Sequence, residues 1–435
     1  MVLGRAIDIM SMSALAVTWR KRRQGEVMSG DEKPTRAVAP PRGESRPIYL
    51  DNHATTRVDP RVVEAMLPWM LEDYGNAASA HAFGQAARRA VETAREHLAA
   101  LVGAQPEEIV FTSGATESNH LALLGIAQVA PPNRRHLVIS AVEHRATLDP
   151  ARRLARQGWR VTQVPPDRLG RIAPEAVAEA IGPDTALVSI LAANNEVGTL
   201  APLEPIAAVC RTRGVPFHTD AVQWIGHLPF DLGQTGADLV SLSAHKFHGP
   251  KGIGALVARR VRRCDDQGPP PRLAPLFEGG GQERGLRAGT APVPLIVGLG
   301  EAARLALTEG LAQAPTIRAL RDRLHDRIRR GLDNQGVLLN GDPDPANRLP
   351  HNLHLSFEGI EGEGLLTRLN GVAVSAGAAC STTSAAPSHV LKAMGVEERL
   401  IRAGLRFGLS RFTTEEEIDR AADEVVRVVL SLRNG

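Results

Sequence analysis

Residues 239–257 read LVSLSAHKFHGPKGIGALV. Two short apolar runs, Leu239–Ser243 and Gly254–Val257, have the length and composition of strands. Between them lie hydroxyl and imidazole groups, a lysine, and a Gly-Pro-Lys-Gly turn signal at Gly249–Gly252. The pattern extends outward. Strand-like runs recur at Glu108–Thr112, His136–Ser140, Ala186–Leu191 and Val215–His218. Helix-period stretches separate several of them, at Ala86–Val102, Glu117–Gln128 and Leu203–Arg213. This alternation predicts an α/β fold, a mainly parallel sheet with helices on both faces. Beyond about Leu305 the pattern changes. A long Arg-rich helix, short strands around Asn352–Ser356 and Val372–Ser375, and terminal helices predict a smaller α+β lobe.

The 435 residues suffice for two domains. Residues 56–305 are assigned to a large domain, and residues 47–55 with 306–435 to a small one. Residues 1–46 are expected to be an unstructured extension, dispensable or bypassed by a start at Met28. Their apolar stretch, Ala6–Val17, is broken by Asp8 and precedes the basic cluster Arg20–Arg23, the wrong order for a secretory signal. The net charge of +3 originates there: residues 1–46 hold nine Lys/Arg against five Asp/Glu, which leaves the remainder at −1. No basic stripe with interleaved aromatics follows, so nucleic-acid binding is not expected. No run of about 18 apolar residues suggests a membrane span. The three cysteines, Cys210, Cys264 and Cys380, form neither a disulfide framework nor a metal-ligand cluster, which points to a reduced, cytoplasmic compartment.

In an open α/β sheet, ligands gather at the carboxyl ends of the strands. Thr112–Glu117 (TSGATE) follows a strand and opens a helix, where free N–H groups and the helix dipole favour a phosphate. The same residues are also ordinary helix caps. His218–Gln223 (HTDAVQ) places Asp220 where a carboxylate either pairs with a protonated pyridine nitrogen or caps a helix. A Schiff-base lysine must be held rigidly and partly desolvated. Of the five lysines, Lys21, Lys33, Lys246, Lys251 and Lys392, only Lys246 follows a strand ending in groups able to bind phosphate. Lys251 reads as the solvent-facing or anion-binding member of the turn. Cys380 lies in SAGAACSTTS, Ser375–Ser384, a run of small residues suited to a mobile loop carrying a thiol. Cys210, on an apolar helix, reads as core, and Cys264 as incidental.

Together these motifs resemble the class V, fold-type I pyridoxal-phosphate enzymes, and within them the cysteine desulfurases of the iron–sulfur cluster type. The resemblance runs from Ile48 to about Thr414. It includes YLDNHATT (Tyr49–Thr56), FTSGATESN (Phe111–Asn119), EHRA (Glu143–Ala146) and NNEVG (Asn194–Gly198). It continues through DAVQ (Asp220–Gln223), SAHKFHGPKGIG (Ser243–Gly254), GGGQERGLRAGT (Gly279–Thr290), SAGAAC (Ser375–Cys380) and LRFGLSRFTTEEE (Leu405–Glu417).

The resemblance implies pyridoxal 5′-phosphate as cofactor, with Lys246 as the Schiff-base lysine. It implies that His144 stacks on the ring and moves protons, that Asp220 pairs with the ring nitrogen, and that Gln223 touches the ring hydroxyl. Ala115, Thr116, Ser243 and His245 would hold the phosphate, with Thr290 arriving from the second subunit of a homodimer. Asn195, also at the cofactor, and Arg406 would grip the substrate carboxylate. Cys380 would take sulfur from L-cysteine as a persulfide, releasing alanine. An acceptor protein such as an iron–sulfur scaffold would then collect it. No resident metal is implied, although Cys380 is able to ligate an iron–sulfur cluster transiently. The spacing from Cys380 to Pro387 matches the long-loop subgroup. The sequence ends at Gly435, without the longer tail some members use to dock the scaffold. His53 and Ala193 are given no function. The alternative reading, a selenocysteine lyase or another class V enzyme, shares Lys246, Asp220 and Arg406 but needs no mobile cysteine.

Overall fold

The structure is a computed structural model that describes residues 46–260, 270–360, 364–376 and 387–434. The readings of residues 1–45, of Cys264 and of Cys380 lie outside the described residues. Along the chain the strands are β1 Ile48–Tyr49, β2 Ile109–Thr112, β3 His136–Ser140, β4 Arg160–Val164, β5 Thr185–Ser189 and β6 Phe217–Asp220. They continue with β7 Leu239–Ser243, β8 Gly254–Ala258, β9 Val337–Leu339, β10 Asn352–Phe357, β11 Val372–Ala373 and β12 Gly404–Gly408. The helices of ten or more residues are α1 Pro60–Leu71, α2 Ala82–Val102, α3 Ala115–Val129 and α4 Arg145–Arg156. After them come α5 Leu203–Thr212, α6 Val293–Leu305, α7 Ala314–Gly331 and α8 Glu415–Arg433.

Seven strands form one sheet in the order β2-β8-β7-β6-β5-β3-β4. β8 runs antiparallel to both neighbours and the other pairings are parallel. Alternate residues of each strand enter different cores. Leu137, Ile139, Leu239 and Leu256 pack with Leu121 and Leu124 of α3 and with Leu148 and Leu154 of α4. Val138, Val240, Leu242 and Val257 pack on the other side with α1, α2, α5 and α6. Burial on both faces is why these strands read as unbroken apolar runs. On that second side α2 and α6 lie very close, because a Cβ on Gly300 would sit 2.5 Å from Ala94 Cα. Truncating a fully buried side chain there, such as Leu98, is expected to cost about 2–5 kcal/mol.

A second sheet, β12-β10-β9, is antiparallel, and β1 pairs in parallel with β11. A separate core gathers Ile48 and Leu50 with residues of α7, β10, β12 and α8. We propose the domain limits 47–55 with 306–435, and 56–305; the grouping of these cores supports them. Residues 47–435 form one compact unit.

One strand starts later than expected. The expected strand from Val215 begins at Phe217, after Pro216, which has no N–H to add to a ladder. Elements not foreseen include the edge strand β4, helix α4 with Pro150 inside it, and β12, whose GLRFG is bounded by glycines. Among the described residues no helix is long and apolar enough to cross a membrane.

Candidate active site

β2, β3, β5, β6 and β7 bring their carboxyl ends to one edge of the large sheet. At the end of β2 the chain turns through Gly114, at φ +151°, into α3. Ala115 and Thr116 occupy the first turn of α3, where N–H groups have no intrahelical acceptor. A Cβ on Gly114 would lie 3.7 Å from Ser243 Oγ, so the helix opening and the end of β7 face each other. Gly254 makes this approach possible, since its Cβ would meet Gly114 Cα at 2.7 Å.

After β7 a single 3₁₀ turn, Ala244–Lys246, carries His245 and Lys246. Lys246 Nζ donates to the Ala54 carbonyl at 3.0 Å and to the His53 carbonyl. His245 Nδ1 meets Thr55 Oγ1 at 3.2 Å. Burial, with Lys246 and Lys251 nearby, pushes the His245 pKa down to about 4, so the ring is neutral at working pH.

Asp220 ends β6 and is buried. Its Oδ2 accepts from Asn119 Nδ2 at 2.6 Å and its Oδ1 from the Val222 N–H at 3.1 Å. Both hydrogen bonds come from neutral donors. Gln223 lies one turn on, its Oε1 2.9 Å from His53 Nδ1. Below Asp220 sits Glu143, fully buried, with Oε1 accepting from Ser140 Oγ and the Leu191 N–H, each at 2.6 Å. Its Oε2 has no hydrogen-bond partner. Burial raises the Glu143 pKa to about 8, with the charge on Asp220 adding to the effect, so the acid is largely neutral at pH 7. His144 is the N-cap of α4, and its Nδ1 accepts from the Ala146 N–H at 3.1 Å. That bond leaves the ring's exchangeable proton on Nε2 in the neutral form.

Arg406 reaches the same region from β12. Its Nη1 donates to the Asn195 carbonyl at 2.9 Å and its Nη2 to Asp51 Oδ1 at 3.1 Å. Its Nε is buried with no acceptor. Asp51 Oδ1 also accepts from Ser375 Oγ at 2.8 Å, and Ser375 bridges to Arg406 through the backbone. Ser375 is thereby tied to both Asp51 and Arg406. Ser388 donates to buried Glu196.

Of the residues expected at the site, Ala115, Thr116, His144, Asn195, Asp220, Gln223, Ser243, His245, Lys246 and Arg406 stand along this edge or on the strand facing it. Thr290 is exposed on the segment before α6. Asn119, Glu143, Asp51 and His53 were missed. His53, given no function from sequence, is buried against Gln223. All four lie inside the quoted motifs, so their position there was the available signal. Cys210 is buried, and burial raises its pKa, the state of an unreactive thiol.

The donor set suits pyridoxal phosphate. Buried Asp220 lacks a cationic hydrogen-bond donor, which a protonated ring nitrogen would supply. The open turn of α3, with Ser243 and His245, would receive a phosphate, and Lys246 stands between it and Gln223. Arg406 Nε lacks the acceptor that a substrate carboxylate would bring.

Residues 48–421 match the model of the aminotransferase class-V family. The chain is 51% identical over 388 residues to a cysteine desulfurase IscS of Anaeromyxobacter sp. (strain Fw109-5), covering 89% of this chain and 93% of that protein. A solved NifS-like protein superposes with a TM-score of 0.80 at 39% identity, covering 89% of this chain and all of that one. A second structure, SspA in complex with cysteine, superposes with a TM-score of 0.71 at 36% identity, covering 84% of this chain and 99% of that one. On its sequence and its fold, the chain belongs to the aminotransferase class-V family.

Proposed function

We propose that this protein is a cysteine desulfurase, which uses pyridoxal phosphate to remove sulfur from L-cysteine, releases L-alanine, and leaves the sulfur as a persulfide on Cys380. The observation that carries the reading is the convergence of Lys246, Asp220 and Arg406 beside one loop stem. Bound pyridoxal phosphate would supply the electron sink that acidifies the α-proton of the amino acid.

The chain's own residues do the rest. Asp220, held by Asn119 and the Val222 N–H, would face the ring nitrogen. The N–H groups at Ala115 and Thr116, with Ser243 and His245, take the phosphate. Gln223 meets the ring hydroxyl. Arg406 offers a planar fork to the substrate carboxylate, and Asn195 completes that contact. His144 would stack on the ring and exchange a proton through Nε2. The Cys380 thiolate would attack the substrate sulfur; as the new S–S bond forms, the substrate Cβ–S bond breaks, its electron pair stays with the carbon, and protonation there gives alanine, while the Cys380 persulfide passes its sulfur to an acceptor protein.

The same reading gives a cytoplasmic homodimer in which Thr290 of one subunit completes the phosphate site of the other. Exposure of Thr290 in a single chain supports it. The sulfur acceptor we infer is an iron–sulfur scaffold.

Purified protein supplied with pyridoxal phosphate should release alanine and sulfide from L-cysteine. Lys246→Ala should lose both the yellow colour and turnover. Cys380→Ala should keep the colour and lose desulfuration. Equal desulfuration by wild type and Cys380→Ala would transfer the reading to a lyase that needs no mobile cysteine.

A further inference from the structure

Behind Gln223 lies a buried hydrogen-bonded chain whose donor and acceptor roles are fixed at both ends. The Arg348 guanidinium, which only donates, reaches Asn352 Oδ1 at 3.2 Å. Asn352 therefore presents Nδ2 on its other side, donating to the Glu196 carbonyl at 3.0 Å and toward His53 Nε2 at 3.1 Å. A backbone carbonyl only accepts, so the Glu196 contact sets the same amide orientation independently. His53 Nε2 must then accept, and its proton sits on Nδ1, which donates to Gln223 Oε1 at 2.9 Å. Gln223 turns its amide nitrogen the other way. One N–H reaches the His53 carbonyl at 3.2 Å, and the second is directed by the same constraint. Gly198, at φ +77°, allows the close packing, because a Cβ there would lie 2.5 Å from Asn352 Oδ1.

We infer that Arg348, Asn352 and His53 are positioning residues that lock Gln223 as a hydrogen-bond donor toward the ring oxygen of bound pyridoxal phosphate. This rests on the cofactor reading above. A relay of this polarity requires a neutral His53, since an imidazolium would set its Nε2–H against the Asn352 N–H. The surroundings agree. Arg406, Lys246 and His227 oppose a charge on His53, and burial holds its pKa well below the usual histidine range. The ring also stacks on His351 at 4.5 Å, a contact that carries no hydrogen-bond polarity.

A donor at the ring oxygen would withdraw negative charge that otherwise holds the proton on Lys246 Nζ when the cofactor is bound. The relay should therefore lower the pH at which the visible band of the bound cofactor titrates. In the holoenzyme, His53→Phe, Asn352→Leu and Gln223→Ala should each raise that midpoint by about one pH unit, roughly tenfold in proton affinity. The double variant His53→Phe/Gln223→Ala should rise no further than Gln223→Ala. His351→Phe, which keeps an aromatic ring against both His53 and His227 and removes no hydrogen bond of the relay, should titrate as wild type. A wild-type midpoint in His53→Phe beside a shifted Gln223→Ala, or shifts that add in the double variant, would overturn the relay. Should the variants not fold, ¹⁵N shifts of His53 in the wild type decide the matter: Nδ1 protonated and Nε2 bare supports it, and the opposite tautomer or an imidazolium refutes it. A wild type with no titrating band would overturn the cofactor reading, while the ¹⁵N measurement, which needs no cofactor, would still report whether the relay exists.

Discussion

At the scale of single residues, charge and hydrogen-bond polarity decide what each group can do. Arg406 is the clearest case. Replacing it by lysine keeps the charge but removes the planar fork and the Nη1 bond to Asn195. The KM for L-cysteine should rise roughly 10- to 100-fold, consistent with about 1.5–3 kcal/mol for a charged hydrogen bond. Glu143 makes a second prediction. The folded protein holds its proton up to about pH 8, whereas an unperturbed side chain releases it near 4.5. Raising the pH through that window therefore favours unfolding. Glu143→Gln should gain stability relative to wild type between pH 5 and 8, by on the order of 1 kcal/mol per pH unit, in parallel thermal melts. Parallel curves for the two proteins would mean that Glu143 ionises normally. Lys246 and Asp220 were legible in the sequence because each stands beside a strand-like run inside a motif. The Asn119–Asp220 and His53–Gln223 contacts were not, because they join residues 101 and 170 positions apart. Local pattern carries no record of such a pairing.

At the scale of elements, the site depends on how closely two turns approach. Gly254 opens β8 with a Cβ position 2.5 Å from the Leu242 carbonyl as well as against Gly114. Gly254→Ala should force β7 and the start of α3 apart, costing about 1–3 kcal/mol by overpacking and speeding loss of pyridoxal phosphate. Cofactor retained after gel filtration, read beside the melting temperature, checks this. Retention equal to wild type would remove α3 from the phosphate site. Most large-sheet strands were legible because burial on both faces makes them apolar throughout. β4 was not: it lies at the sheet edge, with Arg160 and Gln163 exposed and only Val164 fully buried. β12 was hidden for a different reason. Arg406 interrupts the apolar run, and antiparallel pairing to β10 supplies what local propensity lacks.

At the scale of the whole molecule, burial keeps many histidines neutral. His218 and His227 have pKa values pushed down to about 3, and His248 to about 4, in each case chiefly by burial. Unfolded histidines take up protons below about pH 6.5. The stability these groups contribute is therefore complete above that value and lost as pH falls toward their folded pKa values. Thermal melts should show stability falling from pH 6.5 to 5, by on the order of 1–2 kcal/mol per buried histidine. A flat profile over that range would contradict their burial. The two lobes matter to chemistry at this scale, because Arg406 comes from the small sheet while Lys246 and Asp220 come from the large one. The central claim, however, concerns Cys380. The most direct measurement is to mix the holoenzyme with L-cysteine, trap thiols by alkylation, and map the added mass by peptide. The account predicts one extra sulfur atom on the Cys380 peptide, alanine formed in equal amount, and neither product in Lys246→Ala. Alanine formation with no extra sulfur on Cys380 would contradict it.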